Sequence, residues 1–490
     1  MEIILHAASK EPLFRQISRQ IAEKIKNVEL QPNEMLPPER KLAGRLGVNR
    51  STIAAAYQEL VTSGFVTKLQ GSGTRVVGVP NQRQLTYSVN WEQFWNKKSD
   101  NPLMNIRKNL FTEASRPDTI NLALGELSGD LLEVTRLLQD VHKLEEWSTI
   151  GYIGPMQDMK YRVNLASHLQ RRHSITATPD QILLTAGAQQ ALYLLVNCLL
   201  RSGDAIAIES PSFAHAQNLY ISAGLRVFSI PVDEEGLIPE HVEHLYTRHK
   251  IKMVIVNPTL QNPTGTVLSV ERRHQLYDIC AARRILIVED DPYSLLYPPS
   301  LGQAPLSLKA LYPNSELVLY IGTVSKILSP ALRSGWLIAA PQVIERLSYH
   351  RREIDNGSSS ILQGFTQMLL EEDVLESRLD CLQEVLNKRQ SLMLKLLELH
   401  LSPYVVWQKP VGGFYVWCTF RQPIDLSDFQ HQCAVAGVLI MPGNVMHPGK
   451  KCFRLAFSRV SEEQLEEGIA LIKRVFERMI GRSSLFEGRN

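Results

Sequence analysis

Apolar residues return every four positions near the start of the chain, where Leu13, Ile17, Ile21 and Ile25 lie between Pro12 and Val28. That period sets them on one stripe of a helix. Pro32, Pro37 and Pro38 interrupt it. Pro38 suits the first turn of a second helix over about Glu39–Leu46, with Gly47 as its C-cap. Asn49 is placed to cap a third helix whose inner face includes Ile53, Ala56, Tyr57 and Leu60, and Gly64 stops it. Phe65–Leu69 and Thr74–Val77 read as two short strands joined across Gly71-Ser72-Gly73. Three helices followed by a hairpin is the order of a winged helix-turn-helix.

Residues 79 to about 110 hold no sustained period and are predicted to be a connector, part of which packs on a neighbouring domain through Trp91 and Trp95. Beyond it, β-rich runs alternate with helical stretches. The runs are Gln181–Thr185, Ala205–Glu209, Met253–Asn257, Ile285–Glu289 and Leu317–Ile321. That rhythm predicts an α/β fold with a largely parallel sheet, whose loops after the strands gather ligands. From about Arg352 long helices give way to strands near Gly413–Thr419 and Phe453–Ser458, the pattern of a smaller α+β domain. The expected division is a winged helix over 1–78, a linker over 79–110 and a body over 111–490. Within the body the large domain takes about 150–350, and the small one takes about 351–490 with 111–149.

A chain of 490 residues exceeds one small core, and 44% hydrophobic with 21% charged residues is ordinary soluble composition. No apolar run has transmembrane length and the start lacks a signal-peptide pattern, so no membrane partner and a cytoplasmic location are expected. Cys198, Cys280, Cys381, Cys418, Cys433 and Cys452 are scattered without metal-ligand spacing; they read as reduced structural thiols, with no metal site. Net charge is only +3, but residues 1–78 carry 11 Lys/Arg against 7 Asp/Glu, and the remainder 42 against 43. The positive excess therefore sits in the segment expected to touch DNA.

Lys326 follows a predicted strand in Gly322-Thr323-Val324-Ser325-Lys326, with Arg333 seven residues on. Alone it reads as a surface lysine. Its company suggests pyridoxal 5'-phosphate (PLP), which needs an amine for its aldehyde, an acid for its pyridine nitrogen and several phosphate ligands. Asp290 ends the strand Ile285–Val288 where a carboxylate can reach that nitrogen, and Tyr293 is placed to meet the cofactor's phenolic oxygen. Ser325 and Arg333 supply a hydroxyl and a guanidinium for phosphate. Gly187-Ala188-Gln189 follows another strand and opens a helix, which turns backbone N–H groups toward an anion.

Several segments carry a family resemblance. In the first part they are Leu36-Pro37-Pro38-Glu39-Arg40, Leu46-Gly47-Val48-Asn49-Arg50-Ser51-Thr52 and Gly71-Ser72-Gly73-Thr74. Later come Asn262-Pro263-Thr264-Gly265, Glu289-Asp290-Asp291-Pro292-Tyr293, the Lys326-to-Arg333 stretch and Arg454-Leu455-Ala456-Phe457-Ser458. Residues 10–77 resemble a GntR-type winged helix, and residues from about 115 onward resemble fold-type I aminotransferases. The fusion resembles MocR-type transcriptional regulators. The resemblance implies that Asn262 joins Tyr293 on the phenolic oxygen and that Asp290 pairs with the pyridine nitrogen. It implies that Arg454 grips an α-carboxylate in two-pronged fashion, and that Phe213 stacks on the cofactor ring. It further implies that Tyr152 reaches the phosphate of the other subunit of a homodimer, and that Gly125 lines the substrate side. No residue of these motifs selects a side chain.

In the winged-helix reading the third helix enters the major groove by its amino-terminal end. Arg50, Ser51 and Thr52 lie there. Arginine pairs bidentately with guanine, while serine and threonine more often hold phosphates. Arg40 is expected on the backbone, and a tight wing tip at Gly71 and Gly73, flanked by Lys68 and Arg75, is expected at phosphate or the minor groove. Two functions remain open at this point. One is a regulator that binds an operator and senses PLP or an amino acid. The other is an active aminotransferase with a DNA-binding appendage, since the same lysine can also move an α-proton.

Overall fold

The computed structural model describes residues 3–6, 11–69, 73–78, 106, 110, 112–114, 116, 118–132, 155–357, 359–370, 372–447 and 451–487. Gly71, Trp91, Trp95 and Tyr152 lie outside the described residues. The chain forms two compact units, Met1–Trp95 and Asn96–Asn490.

In the first unit, helices α1 (Leu13–Lys26), α2 (Glu39–Leu46) and α3 (Arg50–Thr62) precede a hairpin of β1 (Val66–Leu69) and β2 (Gly73–Val76). Lys68 stands opposite Thr74 in its antiparallel register. Ile17, Ile21 and Ile25 of α1 meet Leu42 of α2, Ile53, Ala56, Tyr57 and Leu60 of α3, and Val66 and Val76 of the hairpin. Each such aliphatic side chain, taken from water, stabilises by about 1.5–3 kcal/mol. Leu13, first on the expected stripe, stays exposed in the opening turn. Gly47 closes α2 with φ 64° in the left-handed region, where a side chain is strained. The Asn49 side chain accepts the Ser51 N–H at 3.2 Å and so caps α3. Pro38 differs from expectation by one place: its ψ of 137° is extended, so it is the cap of α2 and not part of its first turn.

The second unit is built on an eight-stranded sheet. Its strands are β4 (Ile182–Thr185), β5 (Ala205–Ser210), β6 (Arg226–Asp233), β7 (Gly236–Leu237), β8 (Met253–Val256), β9 (Leu286–Asp291), β10 (Val318–Thr323) and β11 (Gly335–Ile338), in the spatial order β4-β11-β10-β9-β8-β5-β6-β7. Neighbours from β10 across to β6 are parallel. β11 runs antiparallel between β10 and β4. The sequence pattern does not mark β11, because four buried residues carry no period. A second, antiparallel sheet takes β12 (Val405–Trp407), β13 (Tyr415–Phe420), β16 (Cys452–Ala456) and β15 (Met441–Pro442), in that order. A parallel pair, β3 (Ile120–Asn121) with β14 (Val438–Leu439), ties the segment near residue 120 to the carboxy-terminal region.

Two residues of the expected connector carry regular structure. Ile106 and Leu110 are helical, and Leu110 is buried with Leu439, Met441 and Met446, with Ile106 and Ala114 packed on the same cluster. Their spacing of four is a helical stripe, one that polar neighbours such as Arg107, Lys108 and Asn109 conceal in the sequence.

Successive residues of a strand face opposite ways, so Asp290 and Asp291 at the end of β9 part company. Asp291 turns inward: its Oδ2 accepts the Tyr320 hydroxyl at 3.0 Å and its Oδ1 the Ser294 N–H at 3.0 Å, with His173 Nδ1 4.0 Å away. Asp290 faces a cavity.

Candidate functional site

That cavity, of about 270 Å³, opens at the carboxyl ends of the parallel strands. Its wall includes Ala188, Gln189, Phe213, Asn262, Asp290, Tyr293, Ser325, Lys326, Arg333 and Arg454. Residues separated by up to 266 positions are thus brought together by chain turns that each leave a strand end. Gly187 follows β4, Phe213 follows β5, Asn262 follows β8, Lys326 follows β10 and Arg333 precedes β11. Arg454 of β16 comes from the second sheet, as do Tyr415 of β13 and Met441 of β15, which also line the cavity.

One end of the site is a cradle of backbone and small side chains. Gly187 caps the helix Ala188–Leu199 with φ 89°, and a Cβ there would stand 3.1 Å from an η nitrogen of Arg333. The backbones of Gly187 and Gly335 also approach closely: a Cβ on Gly335 would lie 2.9 Å from Gly187 Cα. Arg333, itself left-handed at φ 44°, donates to the Ala186 carbonyl at 2.8 Å and keeps its guanidinium exposed at the cavity. Thr323 Oγ1 donates to the Ser334 carbonyl at 3.0 Å and lies 2.9 Å from Ser325 Oγ. The free N–H groups of a helix start, a hydroxyl and a guanidinium converge here, which is the chemistry of an anion site.

The middle of the site is set by an amide network. Asn257 Nδ2 donates to the Asp290 carbonyl at 2.8 Å, Asn262 N donates to Asn257 Oδ1 at 2.9 Å, and Phe213 N donates to the Asn262 carbonyl at 3.0 Å. Asp290 Oδ1 is enclosed and has no hydrogen-bond partner among the described residues. Burial, with the charge of Asp291 beside it, pushes this carboxyl up to about 7 against the opposing pull of Lys326. Glu209, buried next to it, is pushed up to about 8 by burial although it accepts the Asn257 N–H at 2.9 Å.

The other end holds Lys326, Tyr293, Tyr415 and Arg454. Lys326 Nζ donates to the Gly125 carbonyl at 2.6 Å. Tyr293 and Tyr415 hydroxyls are 3.0 Å apart, and burial holds the Tyr293 phenol well above its ordinary range. Arg454, 2% exposed, donates to Asn262 Oδ1 at 2.7 Å and to the Ala123 carbonyl at 2.6 Å, while its guanidinium lies 4.0 Å over the Tyr415 ring. Its Nε is enclosed without a partner among the described residues. Gly125 must be glycine here, since a Cβ would fall 1.7 Å from the Tyr415 hydroxyl. Sequence reasoning found Gly125 and missed Tyr415, Glu209 and Leu110, which also line the cavity. Tyr415 sits in an ordinary strand pattern, so no local signal marks it.

In the first unit, Arg50 and Ser51 are exposed and Thr52 half-buried on the opening turn of α3; Arg40 is exposed on α2 and Lys68 on β1. Gly73 opens β2 with φ 103°. Arg75 is half-buried, with an enclosed Nε, and pairs across to Thr67.

Comparison with known proteins matches both units. Residues 117–472 match the family model "Aminotransferase class I and II", and residues 13–76 match "Bacterial regulatory proteins, gntR family". The uncharacterized HTH-type transcriptional regulator YdfD of Bacillus subtilis (strain 168) is 32% identical over 464 residues, covering 94% of this chain and 95% of its own. The aromatic-amino-acid aminotransferase 1 of Thermococcus litoralis is 29% identical over 399 residues, 78% of this chain and 94% of its own. Among solved structures, the kynurenine aminotransferase of Pyrococcus horikoshii, in complex with PMP, superposes with a TM-score of 0.72 at 27% identity, over 80% of this chain and 98% of its own.

Proposed function

The chain belongs to the aminotransferase class I and II family, with a gntR-family winged helix at its start as in MocR-type regulators, and from that membership we propose that it binds double-stranded operator DNA in response to PLP or an amino acid held in the second unit. The cofactor of the family is PLP. One observation carries the reading: a cavity with a helix-start cradle, a carboxyl oxygen enclosed without a partner among the described residues and a buried arginine shares a chain with a winged helix whose first α3 turn is open to solvent.

The residues fit the cofactor. Asp290, whose Oδ1 lacks a partner, would take the pyridine nitrogen; Gly187, Ala188 and Gln189 N–H groups with Ser325 and Arg333 would take the phosphate. Tyr293 and Asn262 would hold the phenolic oxygen, Phe213 would lie on the ring and Lys326 would bind the aldehyde. Bound there, PLP supplies an electron sink for bonds to an amino acid's α-carbon. Arg454 orients an incoming carboxylate, and Lys326 Nζ, parked on the Gly125 carbonyl on that side, is placed to accept a proton. Arg40, Arg50, Ser51, Thr52, Lys68, Gly71, Gly73 and Arg75 would form the DNA face. The aminotransferase body, whose cofactor would lie near a two-fold interface, would make the protein a homodimer in which Tyr152 would serve the partner's phosphate site, and the protein would work in the cytoplasm.

Coupling requires that ligand bind DNA-competent and DNA-incompetent arrangements with different affinity. The test is a footprint on DNA upstream of the protein's own gene, with and without PLP and a panel of amino acids. Protection that shifts with one ligand supports the regulator; unchanged protection under every ligand rejects it. The second reading, turnover, rests on Lys326 Nζ, which reaches the Gly125 carbonyl in the cavity and would be free to move an α-proton. Loss of the bound-cofactor absorbance with an amino acid, and its return with a 2-oxo acid, would support it.

A further inference from the structure

Glu39 is the first residue of α2, and its side chain is 17% exposed between two cations that are far more open, Arg50 at 70% and Lys68 at 62%. One carboxylate oxygen, Oε2, accepts Arg50 Nε at 3.2 Å; the other, Oε1, accepts Lys68 Nζ at 3.3 Å. Burial alone would push this carboxyl up, but the bonds from Lys68 and Arg50 outweigh it and hold the group below its ordinary range, so it is charged. Three elements meet at this one side chain: α2, the first turn of α3, and the strand that leads to the wing.

Exposed ion pairs of this kind add little to stability. A negative charge on a surface that meets phosphates also opposes binding to any duplex. Something other than affinity must therefore be gained. The bonding pattern indicates what it is. Glu39 occupies Nε of Arg50, and among the described residues no hydrogen bond reaches the two η nitrogens. A guanidinium held at Nε presents its η nitrogens as a fixed fork, the geometry that reads O6 and N7 of guanine. The second oxygen ties the wing strand to the same anchor.

We propose that Glu39 is a positioning residue for sequence readout, which aims Arg50 at a base and couples it to Lys68 of the wing. The inference rests on the DNA-binding reading above. Glu39 itself touches no base. Its loss frees Arg50 and Lys68 to pair with phosphates anywhere, so specificity falls while indiscriminate binding does not.

The test uses the full-length, PLP-loaded protein and a pool of randomised duplexes. Sequences enriched by the wild type are bound again, beside a scrambled duplex, at several salt concentrations. Glu39→Gln is expected to lower the selected-to-scrambled affinity ratio on the order of ten-fold, which is the scale of one bidentate base contact. It is expected to hold or strengthen binding to the scrambled duplex, and to steepen the log–log salt slope by about one unit for each cation released to phosphate. In an Arg50→Ala background the same change should cost no further specificity. A ratio unchanged by Glu39→Gln, or an equal loss in both backgrounds, overturns the proposal. If the variant melts early, Glu39→Asp is read instead: its shorter arm cannot span both cations, and full retention of the ratio would again overturn it. If the wild type enriches no sequence, the DNA-binding reading itself fails, and this inference falls with it.

Discussion

Arg50 and Lys68 of the winged helix stand in solvent and share one carboxylate, whereas Asp290 and Arg454 of the second unit each keep an enclosed polar atom with no hydrogen bond among the described residues. The first arrangement holds charges hydrated and mutually paired, ready to exchange water and counter-ions for phosphate. The second has already removed its groups from water, a cost carried by folding and recovered when a complementary group arrives. One chain therefore uses two ways of storing affinity, and they respond differently to salt, pH and truncation.

Salt separates them most sharply. Raising it from about 50 to 200 mM should weaken duplex binding on the order of a thousand-fold while PLP retention, followed by absorbance, changes little, because buried contacts are poorly screened. Equal losses would erase the distinction.

Acidity acts in the other unit. The Asp290 carboxyl, ordinarily near 3.8, sits near 7 in the fold, so between those values the folded chain holds a proton that the unfolded chain has released. The contribution of this group to the stability of the cofactor-free protein, up to roughly 4 kcal/mol, should therefore be lost as pH rises through that window and be gone above about 7. Urea unfolding at a series of pH values measures it. Asp290→Asn should flatten the fall in part, leaving the contribution of Glu209, which acts in the same direction.

Core truncation tests the smaller unit. Ile53→Ala, at a fully buried position of α3, should destabilise the winged helix by about 3 kcal/mol and abolish DNA binding while leaving the absorbance of bound PLP intact. Arg454→Lys replaces a two-pronged contact with a single one and should weaken the amino-acid response by roughly ten-fold, read by titration of that absorbance, with cofactor loading unchanged. Asn49→Ala removes the cap on α3 and should cost only about 1 kcal/mol in melting.

Legibility in the sequence follows the same divide. The winged helix could be read nearly to its end residues, because Ile17, Ile21 and Ile25 announce a period and Gly47 and Asn49 punctuate it. In the second unit the strands that end at the cavity were visible as β-rich runs, and Lys326, Asp290 and Arg333 were visible through their motifs. Contacts made across distant sequence were not. Tyr415 reaches Tyr293 from the second sheet, where it also lies under the Arg454 guanidinium, and Leu110 reaches the same cavity from a segment read as linker. β11 was hidden because four buried residues have no rhythm to detect.

The paired aspartates at the end of β9 carry a consequence for how this gene can change. Because Asp290 and Asp291 face opposite sides, a single codon gained or lost within Leu286–Asp291 would exchange their destinations, sending one carboxylate from the cavity toward Tyr320 and the other the reverse way. The apolar residues between the change and Asp290 would be turned over with them. Insertions and deletions that survive in this strand should therefore come in pairs of codons, while single-codon changes of length are expected only beyond Leu296, since Ser294 is bonded to Asp291 and Leu296 is buried.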